Sequence, residues 1–168
     1  MWIERIGQPA RTPWLLTFDA DVLMVLDRTL RAVHPQEGCG LLIGHRHVDG
    51  WCLRTVWPCC NVWTAGLDAL PESSGPASSG SMELSRCTRF LVDAREQLHA
   101  QRWARARGLS VIGSAHSHPA GDAVPSRTDR RWVREPGLMM ILGADQSIRA
   151  WWLEPEVLPR TSVVQDTG

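Results

Sequence analysis

The sequence predicts an α/β domain built around one sheet. Helical and strand-like apolar patterns alternate along the chain, no segment repeats, and 168 residues suffice for one core without cross-links. From Phe18 to Pro35, FDADVLMVLDRTLRAVHP reads as a helix. Val22, Leu26, Leu30 and Val33 recur at helical spacing, Asp19 or Asp21 can cap the start, and Pro35 closes it. Cys39 to His45, CGLLIGH, is short and nearly all apolar, as a strand buried on both faces is. Gly44 to Gly50 is expected to turn the chain, and Trp51 to Cys59 is rich enough in β-branched and aromatic residues to return it.

A long loop follows from Ala65 to Ser85, dense in Ser, Gly and Pro, with residues 67–82 expected to be flexible. RFLVD (89–93) reads as a short strand. AREQLHAQRWARARG (94–108) reads as a helix of good helix formers, with arginines toward its end and Gly108 as the stop. Leu109 to His118 is the next strand, ended by Pro119, and Ser126 to Glu135 the next helix. Leu138 to Glu154 predicts a hairpin turning at Gly143 to Gln146. One domain is therefore expected over residues 1–154, with a loosely held tail over 155–168.

Composition narrows the function classes. Eighteen basic residues balance eighteen acidic ones, which leaves no electrostatic footprint for nucleic acid or an anionic membrane. Every basic residue is Arg, so a lysine nucleophile or Schiff base is excluded. The N-terminus lacks an apolar run of signal-peptide length, and no stretch approaches a membrane span. Five cysteines, an odd number, then suggest reduced thiols and a cytoplasmic protein. Cys59 and Cys60 are adjacent, without the spacing that closes two thiolates on one zinc ion.

The chemistry concentrates in GSAHSHPAGDAVPSRTD, Gly113 to Asp129. On a strand, residues two apart share a face, so His116 and His118 can converge on one ion. Pro119 stops the strand, and Gly121 and Pro125 suit a tight return. Ser126 sits where a helix N-cap would, with Asp129 in the first turn behind it. A helix start brought over the histidines presents Asp129 as a third, anionic ligand. Three protein ligands with one open position are the mark of a catalytic zinc. A metal hydrolase also needs a base that is not a ligand, and Glu37, in HPQEGCGLLIG, is the candidate. Position alone favours a solvated glutamate there.

Glu37, then His116-Ser117-His118-Pro119, Ser126 and Asp129 together resemble the JAMM motif of the MPN-domain metalloproteases. The stretch HPQEGCGLLIG is similar to the opening of the small prokaryotic members, and the likeness runs from about Ala20 to Leu153. The resemblance implies an MPN-like, cytidine-deaminase-like domain with a curled mixed sheet flanked by helices. It implies one Zn2+ held by His116, His118 and Asp129, with Glu37 as the base that activates the attacking water. Ser126 would help hold the oxyanion. It also implies cleavage of a peptide or isopeptide bond at the C-terminal tail of a ubiquitin-like protein. For a compact chain such as this, the substrate class is a sulfur carrier ending in Gly-Gly, whose tail could lie along a sheet edge.

Two other readings stand beside it. A non-catalytic MPN scaffold would bind partners without cutting, and a RadC-like JAMM protein would carry a similar metal motif near DNA repair. A zinc nucleoside deaminase is rejected, since HSH and PCC stand where H-x-E and P-C-x-x-C are needed. Cys39 with His34 could suggest a cysteine peptidase, but the head of a buried apolar run favours a core thiol. Ser117 points away from the histidines and is read as a packing or backbone contact; Ser114 shares their face. His45 and His47 form a second H-x-H, read as exposed turn residues. His99 is read as solvated, and most of the nine tryptophans as core.

Overall fold

The computed structural model describes residue 1, residues 3–5 as backbone, and residues 15–64 and 86–155. The elements are β1 (Ile3–Arg5), β2 (Leu15–Phe18), α1 (Ala20–Arg31), β3 (Cys39–His47) and β4 (Gly50–Cys59). They continue with α2 (Ala94–Arg105), β5 (Ser110–Ser117), α3 (Arg127–Trp132), β6 (Gly137–Leu142) and β7 (Ile148–Leu153). The strands form one mixed sheet in the order β1-β7-β6-β5-β3-β4-β2. Pairing is antiparallel for β3–β4, β3–β5 and β6–β7, and parallel for β5–β6, β1–β7 and β2–β4.

Alternation along the strands sends side chains to opposite faces. Leu42, Leu53, Ile112, Leu138, Met140 and Leu142 face α1, whose Leu26 and Leu30 complete the largest core cluster. On the other face Leu41 and Ile43 pack under Ala100 and Ala104 of α2. Met139, Ile141, Trp151 and Leu153 form a separate cluster around Ala123, with Val133 packed against it. β3 and β6 are thus covered on both sides, which is why they read as near-continuous apolar runs. The central strand β5 runs between them, so on the α2–α3 face it lies between two apolar clusters.

Several expectations shift. Helix α1 spans Ala20–Arg31, with Asp19 at the N-cap position but its carboxylate making no cap hydrogen bond. The helix expected over 126–135 is the six-residue α3, since Val133 already has extended backbone. RFLVD contributes only an isolated bridge, Val92 to Asn61. The β3–β4 turn is confined to Val48 and Asp49, and His45 and His47 therefore lie on β3 rather than in a turn. Strands β1 and β2 were not anticipated. Each has four residues or fewer and pairs with a strand far along the chain. The β6–β7 hairpin turns as expected. The expected loop at 67–82 and nearly all of the tail lie outside the described residues. Among the described residues, no helix is long and apolar enough to cross a membrane.

Candidate functional site

His116 pairs with Cys39 on one side and Ile141 on the other, which places its ring in the middle of the sheet. It is fully buried, and the ring of Phe90 stacks on it at 4.4 Å and 20°. His118 follows directly after β5, and its N–H continues the ladder to the Leu142 carbonyl at 2.8 Å. The two Nε2 atoms lie 2.9 Å apart. His118 Nδ1 is 2.8 Å from the Asp122 carbonyl, which can only accept, so Nδ1 carries the proton and a neutral ring turns its Nε2 lone pair inward. His116 Nδ1 is buried without a partner among the described residues, so that ring is held from its Nε2 side.

Asp129 closes the triad. Its Oδ1 lies 3.4 Å from His116 Nε2, and its Oδ2 lies 3.4 Å from His118 Nε2. The same carboxylate completes a capping box. Ser126 N–H donates to Oδ2 at 2.7 Å, and the Asp129 N–H donates to Ser126 Oγ at 3.1 Å. A six-residue helix is marginal alone, and the box satisfies two of its otherwise unpaired N–H groups. Between strand and helix, Ala123 is buried and its carbonyl accepts from Trp151 Nε1 at 2.9 Å, which pins the loop that carries α3.

Glu37 is 4% exposed. Its N–H donates to the Arg86 carbonyl at 2.8 Å, and its carbonyl accepts from Asn61 Nδ2 at 3.1 Å. Beside it, Gly38 N–H donates to Ser117 Oγ at 2.9 Å, and Ser117 Oγ donates to the Leu30 carbonyl at 3.2 Å. A Cβ on Gly38 would collide with the Leu30 carbonyl, so only glycine lets this turn sit against the end of α1. The Glu37 backbone is held through its own polar groups, which leaves its carboxyl for chemistry.

The charges follow from burial and from one another. Burial pushes Glu37 up to about 8, with His118 opposing and Asp129 adding to the rise. Burial acts to raise Asp129 too, yet His116 and His118, when they carry protons on the nitrogens that face it, hold it well below the usual carboxylate range. Burial depresses His116. In His118 burial pulls the same way but is outweighed by Asp129 and the Asp122 carbonyl, so its value rises. Two imidazole nitrogens and a carboxylate converging in a buried space form a donor set that fits a divalent cation of the zinc class.

With that geometry in place, the comparison with known proteins is direct. Residues 19–154 match the family described as prokaryotic homologs of the JAB domain. The chain belongs to that family. It is 31% identical over 119 residues to the probable TtuB-protein conjugate cleaving protease of Thermus thermophilus, a match covering 71% of this chain and 63% of that protein. The chain thus spans somewhat less than two thirds of that relative. It is 27% identical over 131 residues to the CysO-cysteine peptidase of Mycobacterium tuberculosis, covering 78% and 74% of the two chains. A protein of Desulfitobacterium hafniense known from a solution structure shares the fold with a TM-score of 0.60 and 27% identity, over 81% of each chain. A Salinibacter ruber solution structure, at 21% identity and a TM-score of 0.52 over 87% and 93%, supports the fold alone.

This JAB domain uses residues that the sequence did not flag. Asn61 donates to the Glu37 and Arg89 carbonyls and accepts from Trp63 N–H and Leu91 N–H, tying the segment around residues 89–91 to the Glu37 turn. Phe90 covers His116. Neither lies in a periodic pattern or near the motif, so no local signal marks them. Ser117 makes the backbone contacts expected of it, and we predict that Ser117→Ala costs about 1–3 kcal/mol by stranding Gly38 N–H in a buried position. Urea denaturation measures this, and a loss below about 0.5 kcal/mol would mean the bond does little.

Cys39 is 1% exposed, and burial pushes its thiol up to about 12, so it does not act as a nucleophile. His34, its suggested partner, is exposed. Brief alkylation of the native protein at pH 8 is expected to modify the exposed Cys60 and to spare Cys39 until denaturant is added. Peptide mass mapping reads the result, and early labelling of Cys39 would reopen the cysteine reading. Finally, β5 is paired on both sides, so the histidine pair belongs to the interior of the sheet and not to an edge.

Proposed function

We propose that this chain is a zinc-dependent peptidase that cleaves the peptide or isopeptide bond following the Gly-Gly tail of a ubiquitin-like sulfur carrier. The observation that carries the reading is the meeting of His116, His118 and Asp129 beside a buried Glu37. The relatives named for TtuB-conjugate and CysO-cysteine cleavage support the substrate class.

His116, His118 and Asp129 would hold the ion, which when bound supplies Lewis acidity to polarise the scissile carbonyl and acidify water. Glu37 does the proton work. Its carboxyl, which burial raises and a neighbouring cation would draw back toward its charged form, takes the proton from the attacking water and returns it to the departing amine. The Asp122 carbonyl holds the His118 tautomer, and the capping box holds the Asp129 carboxylate, so neither has to reorganise during the reaction. Ser126 Oγ accepts from the Asp129 N–H, which leaves its own proton to donate to developing negative charge on the substrate. A tail of two glycines has no side chains to clash on its way to the buried histidines.

The test incubates the purified protein with sulfur-carrier proteins extended by one or more residues after Gly-Gly, followed by mass spectrometry. The expected product ends in Gly-Gly. A carrier bound tightly and never cut would favour the non-catalytic scaffold instead.

A further inference from the structure

The second H-x-H motif also has a structural partner. His45 and His47 lie two apart on β3, and His45 stands directly opposite Cys52 of β4. All three side chains therefore share one face of the hairpin. Their ligand atoms lie within 4.8 Å of one another. The two histidine pairs of the chain are near copies. Ring centroids are 4.8 Å apart at 57° for His45–His47, and 4.7 Å apart at 61° for His116–His118. The Nε2 atoms of His45 and His47 are 3.2 Å apart. Two nitrogens bound tetrahedrally at zinc distances would be about 3.3 Å apart.

From this we propose a second metal site, made of His45, His47 and Cys52, for a borderline transition-metal dication of the zinc class. Two imidazoles and a thiolate are the donors such ions prefer, and they suit calcium or magnesium poorly. The site is separate from the triad at Asp129. Cys39, at one end of β3, pairs with His116, and His45 is six residues along the strand, about 20 Å away. It also differs in character. His47 is exposed and Cys52 half-buried, so an ion held there would remain accessible to solvent. A bound ion would cross-link β3 to β4 next to their two-residue turn.

Cobalt(II) titration of the full chain, in a reductant that is not a thiol, separates the two sites. The triad at Asp129 contains no sulfur, so a thiolate-to-cobalt charge-transfer band in the near ultraviolet reports on the hairpin. The wild type is expected to take up two equivalents, with one of them building the band. Cys52→Ser should abolish the band and bind a single equivalent. His47→Asn should weaken the band-forming step at least tenfold, and His116→Ala should keep the band while losing the other equivalent. Uptake of one equivalent without a band, or a band that survives Cys52→Ser, overturns the proposal. Because Cys52→Ser leaves the buried core untouched, this holds even if His116→Ala fails to fold. The band reads only the hairpin and the sulfur-free equivalent only the triad at Asp129, so the two proposals fail independently.

Discussion

The Glu37→Gln variant is expected to bind metal as the wild type does and to turn over roughly 10²–10⁴-fold more slowly. Glutamine keeps the size of the side chain, and the backbone of residue 37 is fixed by Arg86, Asn61 and the Gly38–Ser117 bond whatever the side chain is. Only the ability to carry a proton is removed. The same substitution should stabilise the metal-free protein. Folding raises the Glu37 carboxyl from its ordinary 4.5 to about 8, so the folded state takes up a proton between those values. The charged form is disfavoured by burial, so stability falls as pH rises through that window. The advantage of glutamine is then absent below pH 4.5 and greatest above pH 8, on the order of 3–5 kcal/mol. Melting curves of chelated wild type and variant at pH 5 and pH 8.5 measure it. Wild-type turnover in the variant, or an advantage larger at pH 5, would falsify the assignment of the base.

The second large effect concerns the triad. Asp129→Asn keeps a carbonyl oxygen for the Ser126 N–H and so preserves the cap, but it removes the negative charge that faces both histidines. A site occupied at a thousand times its dissociation constant stabilises a protein by about 4 kcal/mol. For a domain of this size that is a Tm difference on the order of 10 °C between zinc-loaded and chelated protein. We expect that difference in the wild type and its near disappearance in Asp129→Asn. The measurement belongs in a Cys52→Ser background, so that only this site is read. His116→Ala should lose the metal as well, with an added penalty, because removing a fully buried ring leaves a cavity under Phe90. An unchanged zinc-dependent Tm rise in Asp129→Asn would remove that residue from the ligand set.

The site was legible in the sequence wherever its parts are close along the chain. His116 and His118 are two apart at the end of one strand, and Ser126 and Asp129 are three apart at one helix start, so spacing alone set their geometry. Glu37 is remote, and its place came only from the family resemblance. Asn61 and Phe90 were invisible because their work consists of bonds and contacts across the fold. The same holds for β1 and β2, whose few residues become strands only because β7 and β4 offer open edges. Of the fold, β3, β5 and the β6–β7 hairpin could be read because burial on both faces leaves a dense apolar run. His45 and His47 were misread for a local reason: glycines at 44 and 50 suggested a wide turn, whereas the strands continue to a tight reversal at Val48 and Asp49.

Two of the three triad donors ride on or just after the innermost strand of the sheet, and the third stands on a helix of six residues. Those parts differ greatly in how readily they come apart. Amide exchange near His116 should require global unfolding, whereas α3 can unwind by itself at far lower cost. The escape of an ion held there would then be timed by the fraying of that short helix, and its residence would lengthen or shorten with the quality of the Ser126 cap.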